Sequence, residues 1–284
     1  MIKHRLFWSY ALGGISACAA LLTLFTVLFK MQFIKDCITC GIIGVIIVFG
    51  TSLIYAGWQV HSKNEISMVI SSSTKLTIKV DDIFAQKGII CIPVNEYFDT
   101  HVGDGVISEA SLHGKFINKY YKDRIQELNN KIQNELQGLA YTVHSRRRSD
   151  CPNKQYPLGT CVDIRDGENT YVLFALTHFD DYDTANVSRA EYGMVVNELM
   201  KHIFQIAENK PVYISLFGTG FSRIQRSPQR ILYQLISILD FDDRNVFTGG
   251  INIILNSHMN NEDDKDNDIN LTVMEHIIKN GITK

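Results

Sequence analysis

Two uncharged apolar stretches of 24 residues each, 6–29 and 37–60, open the chain and are separated by only seven residues. At about 1.5 Å of rise per residue, each would form a helix roughly 36 Å long, enough to cross about 30 Å of bilayer hydrocarbon. A signal peptide is the competing interpretation of the first stretch, but signal cores are only about 7 to 15 residues long. The pattern therefore predicts a two-helix transmembrane hairpin over residues 1–63, followed by a polar linker over 64–74.

The residues that flank the two stretches indicate how the hairpin is oriented. Two aromatic residues begin the first stretch and two close the second, which places four amphipathic rings at one membrane interface. More cations lie outside the hairpin than in its connecting loop, and this bias favours cytoplasmic termini. The outer cations are Lys3, Arg5, Lys63, Lys75 and Lys79, and those of the loop are Lys30 and Lys35.

Neither stretch contains Asp, Glu, Lys or Arg, which argues against a transporter with charged groups in the membrane. Small residues at 13, 14, 16 and 17 and at 41, 44 and 50 would let the helices pack closely, within one protomer or between protomers. A pore would therefore have to come from self-assembly or from disruption of the bilayer.

The remainder of the chain is acidic. Only 5 of the 28 Lys and Arg and one of the 30 Asp and Glu lie in residues 1–63, so residues 64–284 carry a formal net charge of −6. This charge argues against a nucleic-acid partner. The arginines at 146–148 are interpreted as a solvated loop, with a phosphate or headgroup contact as the alternative. The CxxC pair at 37 and 40 lacks a second pair, so no metal site is predicted.

Strand and helix patterns alternate after the linker, which predicts an α/β sheet with helices on its faces. The apolar stripe of the 111–139 helix suits core packing, while its near-heptad spacing leaves self-association open. Ser188 and Glu191 have the spacing of a capping box, and Ser227-Pro228 is a favoured helix start. The predicted strands are 75–80, 88–94, 159–164, 171–177, 212–217 and 251–255, and the predicted helices are 111–139, 188–209, 227–239 and 272–280.

Two glycine-bearing loops, 103–107 and 218–222, follow predicted strands. Glycine lets backbone N–H groups converge on an anion, and the ends of neighbouring strands form the usual ligand crevice of an α/β sheet. Two such loops would suit a diphosphate. An ordinary turn is the alternative for each loop taken alone.

Five short segments in this order resemble a macro domain: VDDIF at 80–84, PVN at 93–95, GDGVI at 103–107, YPLGT at 156–160 and ISLFGTGF at 214–221. The resemblance covers residues 75–284, with an insertion at about 116–155. It implies an α/β fold, a three-layer α/β/α macro domain behind the transmembrane hairpin, and binding of ADP-ribose or a derivative.

A closer resemblance comes from VNEYFDT at 94–100 and SLHGKF at 111–116 behind two membrane helices. This combination is similar to the macro-type effectors of bacterial Thoeris anti-phage systems, in which a TIR-domain enzyme makes an ADP-ribose-derived signal from NAD. The resemblance implies an effector that binds this signal, assembles as a homo-oligomer and disrupts the lipid bilayer of the bacterial inner membrane, with both termini and the macro domain cytoplasmic. It implies no cofactor and no nucleic-acid partner.

The same resemblance assigns roles within the site. Asp82 would accept the adenine amino group and Ile83 would donate its backbone amide, while the two glycine loops would enclose the diphosphate and the distal ribose. Asn95 matches the first asparagine after the strand, and Phe221 would pack against the distal ribose. The ligand-binding residues expected are Asp82, Ile83, Asn95, Asp99, Gly103, Asp104, Gly105, Val106, Ile107, His113, Gly218, Thr219, Gly220, Phe221 and Ser222.

Hydrolytic macro domains carry a second asparagine where this chain has Phe98, so we expect a binding module with no catalytic and no metal-binding residues. The alternative is a membrane-anchored hydrolase of ADP-ribosylated substrates. Asp104 or Asp99 is expected to meet a cationic group of a modified ADP-ribose, with an outward-facing solvated acid as the alternative. His113 is the better ligand candidate of two histidines, the other being His178, and structural roles are open for both.

Overall fold

The computed structural model describes residues 2–29, 38–59, 63–70, 73–144, 151–180, 184–218, 227–241, 246–256 and 269–281. The helices are α1 Ile2–Phe29, α2 Ile38–Gln59, α3 Leu112–Phe116, α4 Ile125–Glu135, α5 Arg189–Ile206, α6 Pro228–Phe241 and α7 Leu271–Gly281, with a 3-10 turn at Ile83–Ala85 and a π-helical turn at Ile117–Tyr121. The strands are β1 Glu65–Ile70, β2 Thr74–Val80, β3 Ile89–Asn95, β4 Thr142–Val143, β5 Lys154–Gln155, β6 Cys161–Asp166, β7 Asn169–Phe179, β8 Ala185–Asn186, β9 Val212–Ser215 and β10 Ile251–Leu255.

The chain divides into two compact units, a helical unit of Met1–Asn64 with Asn270–Lys284 and a sheet domain of Glu65–Ile269. In the helical unit, α1 and α2 pack through small side chains. A Cβ added to Gly14 would lie 3.2 Å from the Ser52 Oγ, and Ala11 and Ala56 are fully buried. Among the residues that the structure describes, no helix has both the length and the apolar character needed to cross a membrane.

The sheet domain contains an eight-stranded mixed sheet in the order β1-β2-β10-β9-β3-β7-β6, with β8 paired to β7. The five inner strands run parallel, and β1 and β6 are antiparallel to their neighbours at the two edges. Parallel strands are covered on both faces, which explains the continuous apolar run of β3. The predicted α/β sheet is confirmed.

Alternation along β7 shows how the two faces are covered. Leu173 joins a core cluster with α3 and α4, whereas the next residue, Phe174, points to the opposite face. There Phe174 meets Phe217 at 5.1 Å between ring centroids, and Phe217 meets Tyr192 of α5 at 5.3 Å. The capping box of Ser188 and Glu191 starts α5 as predicted. Helices therefore lie on both faces of the sheet, in three layers.

Three predictions about element boundaries are wrong. The linker predicted over 64–74 contains β1, which pairs with β2 in an antiparallel ladder, so the sheet domain starts about ten residues earlier than residue 75. The closing helix, predicted as part of the macro domain, belongs to the helical unit. The continuous 111–139 helix is broken by the π-helical turn and by Arg124, whose φ of −130° and ψ of 30° are not helical.

This break explains where the apolar stripe of the insertion goes. Residues on both sides of it, among them Phe116, Tyr121, Leu128 and Ile132, are buried in the same cluster beneath the sheet. A straight helix would carry part of the stripe away from that cluster. The stripe is therefore core packing in the described chain, with Leu139 at its end exposed.

Candidate functional site

A cavity of about 1280 Å³ lies at the carboxyl ends of the parallel strands. Val80 of β2, Val94 of β3, Ser215 of β9 and Ile254 of β10 all contribute to its wall. This is where an open α/β sheet forms its ligand crevice, because the loops that leave the strands diverge to the two faces there. The segments after β2, β3 and β9 add residues 81–84, 105–113 and 216–218 to the lining, together with Gly103 and Lys115.

Asp82 and Ile83 form one end of the cavity, as predicted. Asp82 caps the 3-10 turn that follows it, because its Oδ1 accepts a hydrogen bond from the Phe84 N–H at 2.9 Å. Its Oδ2 lies 3.9 Å from the Lys119 Nζ. Ile83 is the first residue of the turn, a position whose N–H has no partner within a helix, and no other described group accepts from it. This end offers a carboxylate acceptor beside a backbone donor.

The first glycine loop also lines the cavity, through Gly103, Gly105, Val106 and Ile107. Gly103 has φ of 101° and Gly105 has φ of 84°, values in the region that favours glycine. The Gly103 N–H donates to the Ile107 carbonyl at 2.9 Å, and the Val106 N–H donates to the Gly103 carbonyl at 3.0 Å. Two of the N–H groups that could meet an anion are therefore engaged inside the loop.

Asn95 lines the cavity, but both ends of its side-chain amide form hydrogen bonds within its own turn. Its Oδ1 accepts from the Tyr97 N–H at 3.0 Å, and its Nδ2 donates to the Asp99 carboxylate at 2.9 Å. Asp99 is fully buried and is not part of the cavity wall. Phe98 adopts φ of 54° and packs against Tyr156 at 5.8 Å in the core. The turn is thus a structural unit that presents Asn95 to the cavity.

Asp104, predicted to meet the ligand, does not line the cavity. Its side chain is 76% exposed, and its Oδ2 lies 3.1 Å from the His101 Nε2. The left-handed backbone of this residue, with φ of 48°, turns the side chain away from the wall that its glycine neighbours form. Asp104 therefore faces outward. Neither Asp99 nor Asp104 lines the cavity.

His113 on α3 lines the cavity and is only 5% exposed. Its Nε2 has no hydrogen-bond partner among the described residues. Burial lowers the pKa of this histidine to about 3, so the ring is neutral at physiological pH. Burying an imidazole nitrogen without a hydrogen-bond partner costs free energy. A ligand that formed a hydrogen bond with the Nε2 of His113 could remove that cost.

His178 lies outside the cavity wall and joins two carboxylates. Its Nδ1 pairs with the buried Glu96, and its Nε2 lies 3.1 Å from the Glu191 carboxylate. Burial works against the charged ring, but the hydrogen bonds and charges of Glu96 and Glu191 outweigh it and raise the pKa of His178. These contacts join β3, β7 and the start of α5, which is a structural role.

Several predicted residues lie outside the described part of the chain. Gly218, the first residue of the second glycine loop, is described and lines the cavity. Thr219, Gly220, Phe221 and Ser222, together with the arginines at 146–148 and Cys37, fall outside the described residues. Within the described chain, no group of three or more His, Cys, Asp and Glu residues could hold a metal ion.

Sequence reasoning missed other members of the wall, among them Glu109, Lys115, Thr177 and Ser215. Thr177 and Ser215 stand at the carboxyl ends of strands, so strand ends alone would have indicated them. Glu109 and Lys115 follow the first glycine loop, but their place depends on how α3 folds back after the loop. No motif in the sequence marks that fold.

Comparisons with known proteins agree with this geometry. Residues 76–256 match the family model described as "Thoeris protein ThsA, Macro domain". The Thoeris protein ThsA of Bacillus amyloliquefaciens (strain Y2) is 27% identical over 229 residues, which cover 78% of this chain and 74% of the relative. Two solved structures of the Oceanobacillus iheyensis macrodomain, a mutant with ADPR and a form with ADP, are each 12% identical with TM-scores of 0.51.

These two structures cover 78% and 77% of this chain and 100% and 97% of their own. At such low identity they show the fold alone, a macro-domain α/β sheet. The family model spans well over half of the chain, including the whole cavity wall. The chain therefore belongs to the Thoeris ThsA macro-domain family.

Proposed function

We propose that the sheet domain binds ADP-ribose or a derivative in the cavity and acts as the sensor of an anti-phage defence effector. The observation that carries this proposal is the shape and lining of the cavity. Its volume of about 1280 Å³ exceeds the roughly 300 to 1000 Å³ of common small-molecule sites. Structures of a macrodomain of the same fold are described with ADPR and with ADP.

Adenine would occupy the end formed by Asp82 and Ile83. Its exocyclic amine is a donor and its ring nitrogens are acceptors, which complement a carboxylate oxygen beside a free backbone N–H. The diphosphate would lie against the loop of Gly103 and Gly105, and the distal ribose beyond it toward Asn95 and Gly218. Thr219 to Ser222 would complete this second half of the site.

We propose binding without turnover. Hydrolysis needs a group that holds an attacking water against the distal ribose. Both ends of the Asn95 amide contact its own turn, and Phe98 lies in the core, so neither residue supports that role. The rival function is a hydrolase of ADP-ribosylated substrates.

We further propose that the helical unit inserts into the bacterial inner membrane, with both termini and the sheet domain in the cytoplasm. The sequence supports this through its two uncharged stretches. Large apolar side chains on α1 and α2, among them Leu12, Ile46 and Trp58, are exposed in the described part of the helical unit. Ligand binding would favour an assembled state of several copies that disrupts the bilayer, and a TIR enzyme would supply the ligand from NAD.

Calorimetry on the full chain in lipid nanodiscs tests the sensor proposal. We expect saturable binding of ADP-ribose or of the TIR product, and the ligand should be recovered unchanged by chromatography. Loss of the ligand with time would favour the hydrolase. Absence of binding to both ligands would contradict the proposal itself.

A hairpin exchange tests whether the helical unit is more than an anchor. Replacing residues 1–60 with an unrelated two-helix hairpin should leave ligand affinity unchanged and should abolish membrane disruption. An anchored hydrolase would keep its full function after this exchange.

A further inference from the structure

We infer that Lys115 is the residue that binds the diphosphate of the ligand in this chain and sets the preference for phosphate-bearing ligands. The inference rests on the proposed function and deepens it, because it names the side chain that balances the ligand charge.

The described part of the cavity wall contains more acidic than basic side chains. It contains three acids, Asp81, Asp82 and Glu109, and Lys115 is the one Lys or Arg among those residues. His113 also lines the cavity, but it is neutral because burial lowers its pKa to about 3. Asp81 and Asp82 have cationic partners outside the wall, Lys79 at 2.8 Å and Lys119 at 3.9 Å, so Lys115 is the cation of the described wall that can meet an anionic diphosphate directly.

The first glycine loop uses two of its backbone N–H groups within itself. Loops of this kind usually bind phosphate through converging backbone N–H groups. Here the N–H groups of Gly103 and Val106 donate to carbonyl oxygens within the loop, at 2.9 Å and 3.0 Å. The loop has fewer donors to offer than its sequence suggests, so a side-chain cation becomes more important.

The backbone of Lys115 is held between buried neighbours. Its neighbours His113, Gly114 and Phe116 are buried, while Lys115 itself is exposed and lines the cavity. A Cβ added to Gly114 would lie 2.3 Å from the Ser108 carbonyl, so α3 packs directly on the segment that follows the loop. On its other side, Phe116 packs on Tyr171 at 4.9 Å between ring centroids. The backbone of Lys115 is therefore fixed between two packed contacts.

Within the described part of the chain, Lys115 has no partner that would compete with a bound anion. No ion pair or hydrogen bond of its ammonium group occurs among the described residues. The nearby Lys119, by contrast, lies 3.9 Å from Asp82 and over the Phe84 ring at 5.2 Å. A lysine that lines a cavity and is not paired with a carboxylate of the protein is available to a bound anion.

The test compares ligands with and without phosphate on the full chain in nanodiscs. We expect K115Q to bind ADP-ribose about ten-fold or more weakly than the wild type, while its affinity for adenosine changes less than about two-fold. K115R should retain most of the ADP-ribose affinity. The wild-type affinity for ADP-ribose should also fall as salt rises, and K115Q should be less sensitive because a screened charge pair has been removed.

Lys122→Gln is the matched control, since Lys122 is an exposed lysine that follows the π-helical turn and does not line the cavity. It should bind both ligands as the wild type does, and all variants should melt at the same temperature. Unchanged ADP-ribose binding by K115Q, or an equal loss for ADP-ribose and adenosine, would overturn the inference alone. Failure of the wild type to bind ADP-ribose would instead defeat the proposed function and the inference with it.

Discussion

The same side chain meets different surroundings in the two units of this protein. Ile92 on β3 of the sheet domain is completely buried, whereas Ile54 on α2 of the helical unit is 74% exposed. The sheet domain covers its apolar residues with its own helices, as a domain of about 200 residues can. In the helical unit, the contact of α1 and α2 buries small residues such as Ala11 and Ala56, while large apolar residues of α2 such as Ile46 and Trp58 are exposed. The difference is in line with the proposal that lipid or further copies of the chain cover the apolar surface of the helical unit.

Truncation of the two isoleucines gives the largest expected contrast. Ile92→Ala should cost about 2 to 5 kcal/mol of the free energy of unfolding, because it leaves a cavity in a packed core. Ile54→Ala should change that free energy by less than about 0.5 kcal/mol, since Ile54 is 74% exposed. Urea unfolding of the full chain in detergent, followed by circular dichroism, measures both. Equal costs would show that the two surroundings are alike.

Ligand affinity should follow the sheet domain alone. Asp82→Ala should weaken ADP-ribose binding by about ten-fold or more, because the adenine amine loses its acceptor. Asp104→Ala should stay within about two-fold of the wild type, since that carboxylate lies outside the cavity wall. Ile54→Ser should also bind normally. Calorimetry distinguishes these results, and a large effect of Asp104→Ala would place the ligand differently from the cavity described above.

The pH dependence of stability should come from the sheet domain. The pKa of His178 is raised above its ordinary value of 6.5 by Glu96 and Glu191, against the effect of burial. A raised pKa in the folded state gives stability that is fully present below about pH 6.5 and is lost as the pH rises through the folded value. We expect a loss on the order of 0.5 to 1 kcal/mol, since the pair is partly exposed. Unfolding at pH 6 and pH 9 measures it.

His178→Gln is the control for this effect. The variant keeps a polar side chain but does not titrate, so its stability should vary less over the same pH interval. An identical pH profile in the wild type and the variant would assign the dependence to other groups.

The smallest expected effect lies in the contact of α1 and α2. Gly13→Ala should stabilise the helical unit by up to about 1 kcal/mol, because no atom lies within 4 Å of the new methyl group and alanine favours helices. Gly14→Ala should gain about 0.5 kcal/mol less, because its methyl group would lie 3.2 Å from the Ser52 Oγ. Thermal unfolding in detergent compares the two. Equal gains would mean that the helices do not meet at Gly14.

The sequence predicted well those features that depend on local pattern. A continuous apolar run indicated β3, and the Ser188 and Glu191 spacing indicated the start of α5. The glycine loop at Gly103 that follows a predicted strand indicated where the cavity lies, and the resemblance to macro domains added Asp82. These features follow from hydrophobic periodicity and capping chemistry, which neighbouring residues determine.

Other features depend on contacts that no local pattern records. Asp82 and Asp104 are both acids of the predicted site. Only Asp82 reaches the cavity, because the left-handed backbone of Asp104 turns its own side chain outward. The helix predicted over 111–139 breaks near Arg124 because both of its halves pack on one core cluster. Lys115 enters the wall for the same reason, since α3 folds back after the loop.

Dye release from liposomes that contain the full-length protein tests the central claim most directly, namely that a ligand in the sheet domain drives a membrane event in the helical unit. Addition of the ADP-ribose-derived product of a TIR enzyme should release the dye in the wild type, and Asp82→Ala should prevent release at the same ligand concentration. The account would be contradicted if the ligand bound the wild type and no dye left the liposomes, or if Asp82→Ala lost binding and still released dye on addition of the ligand.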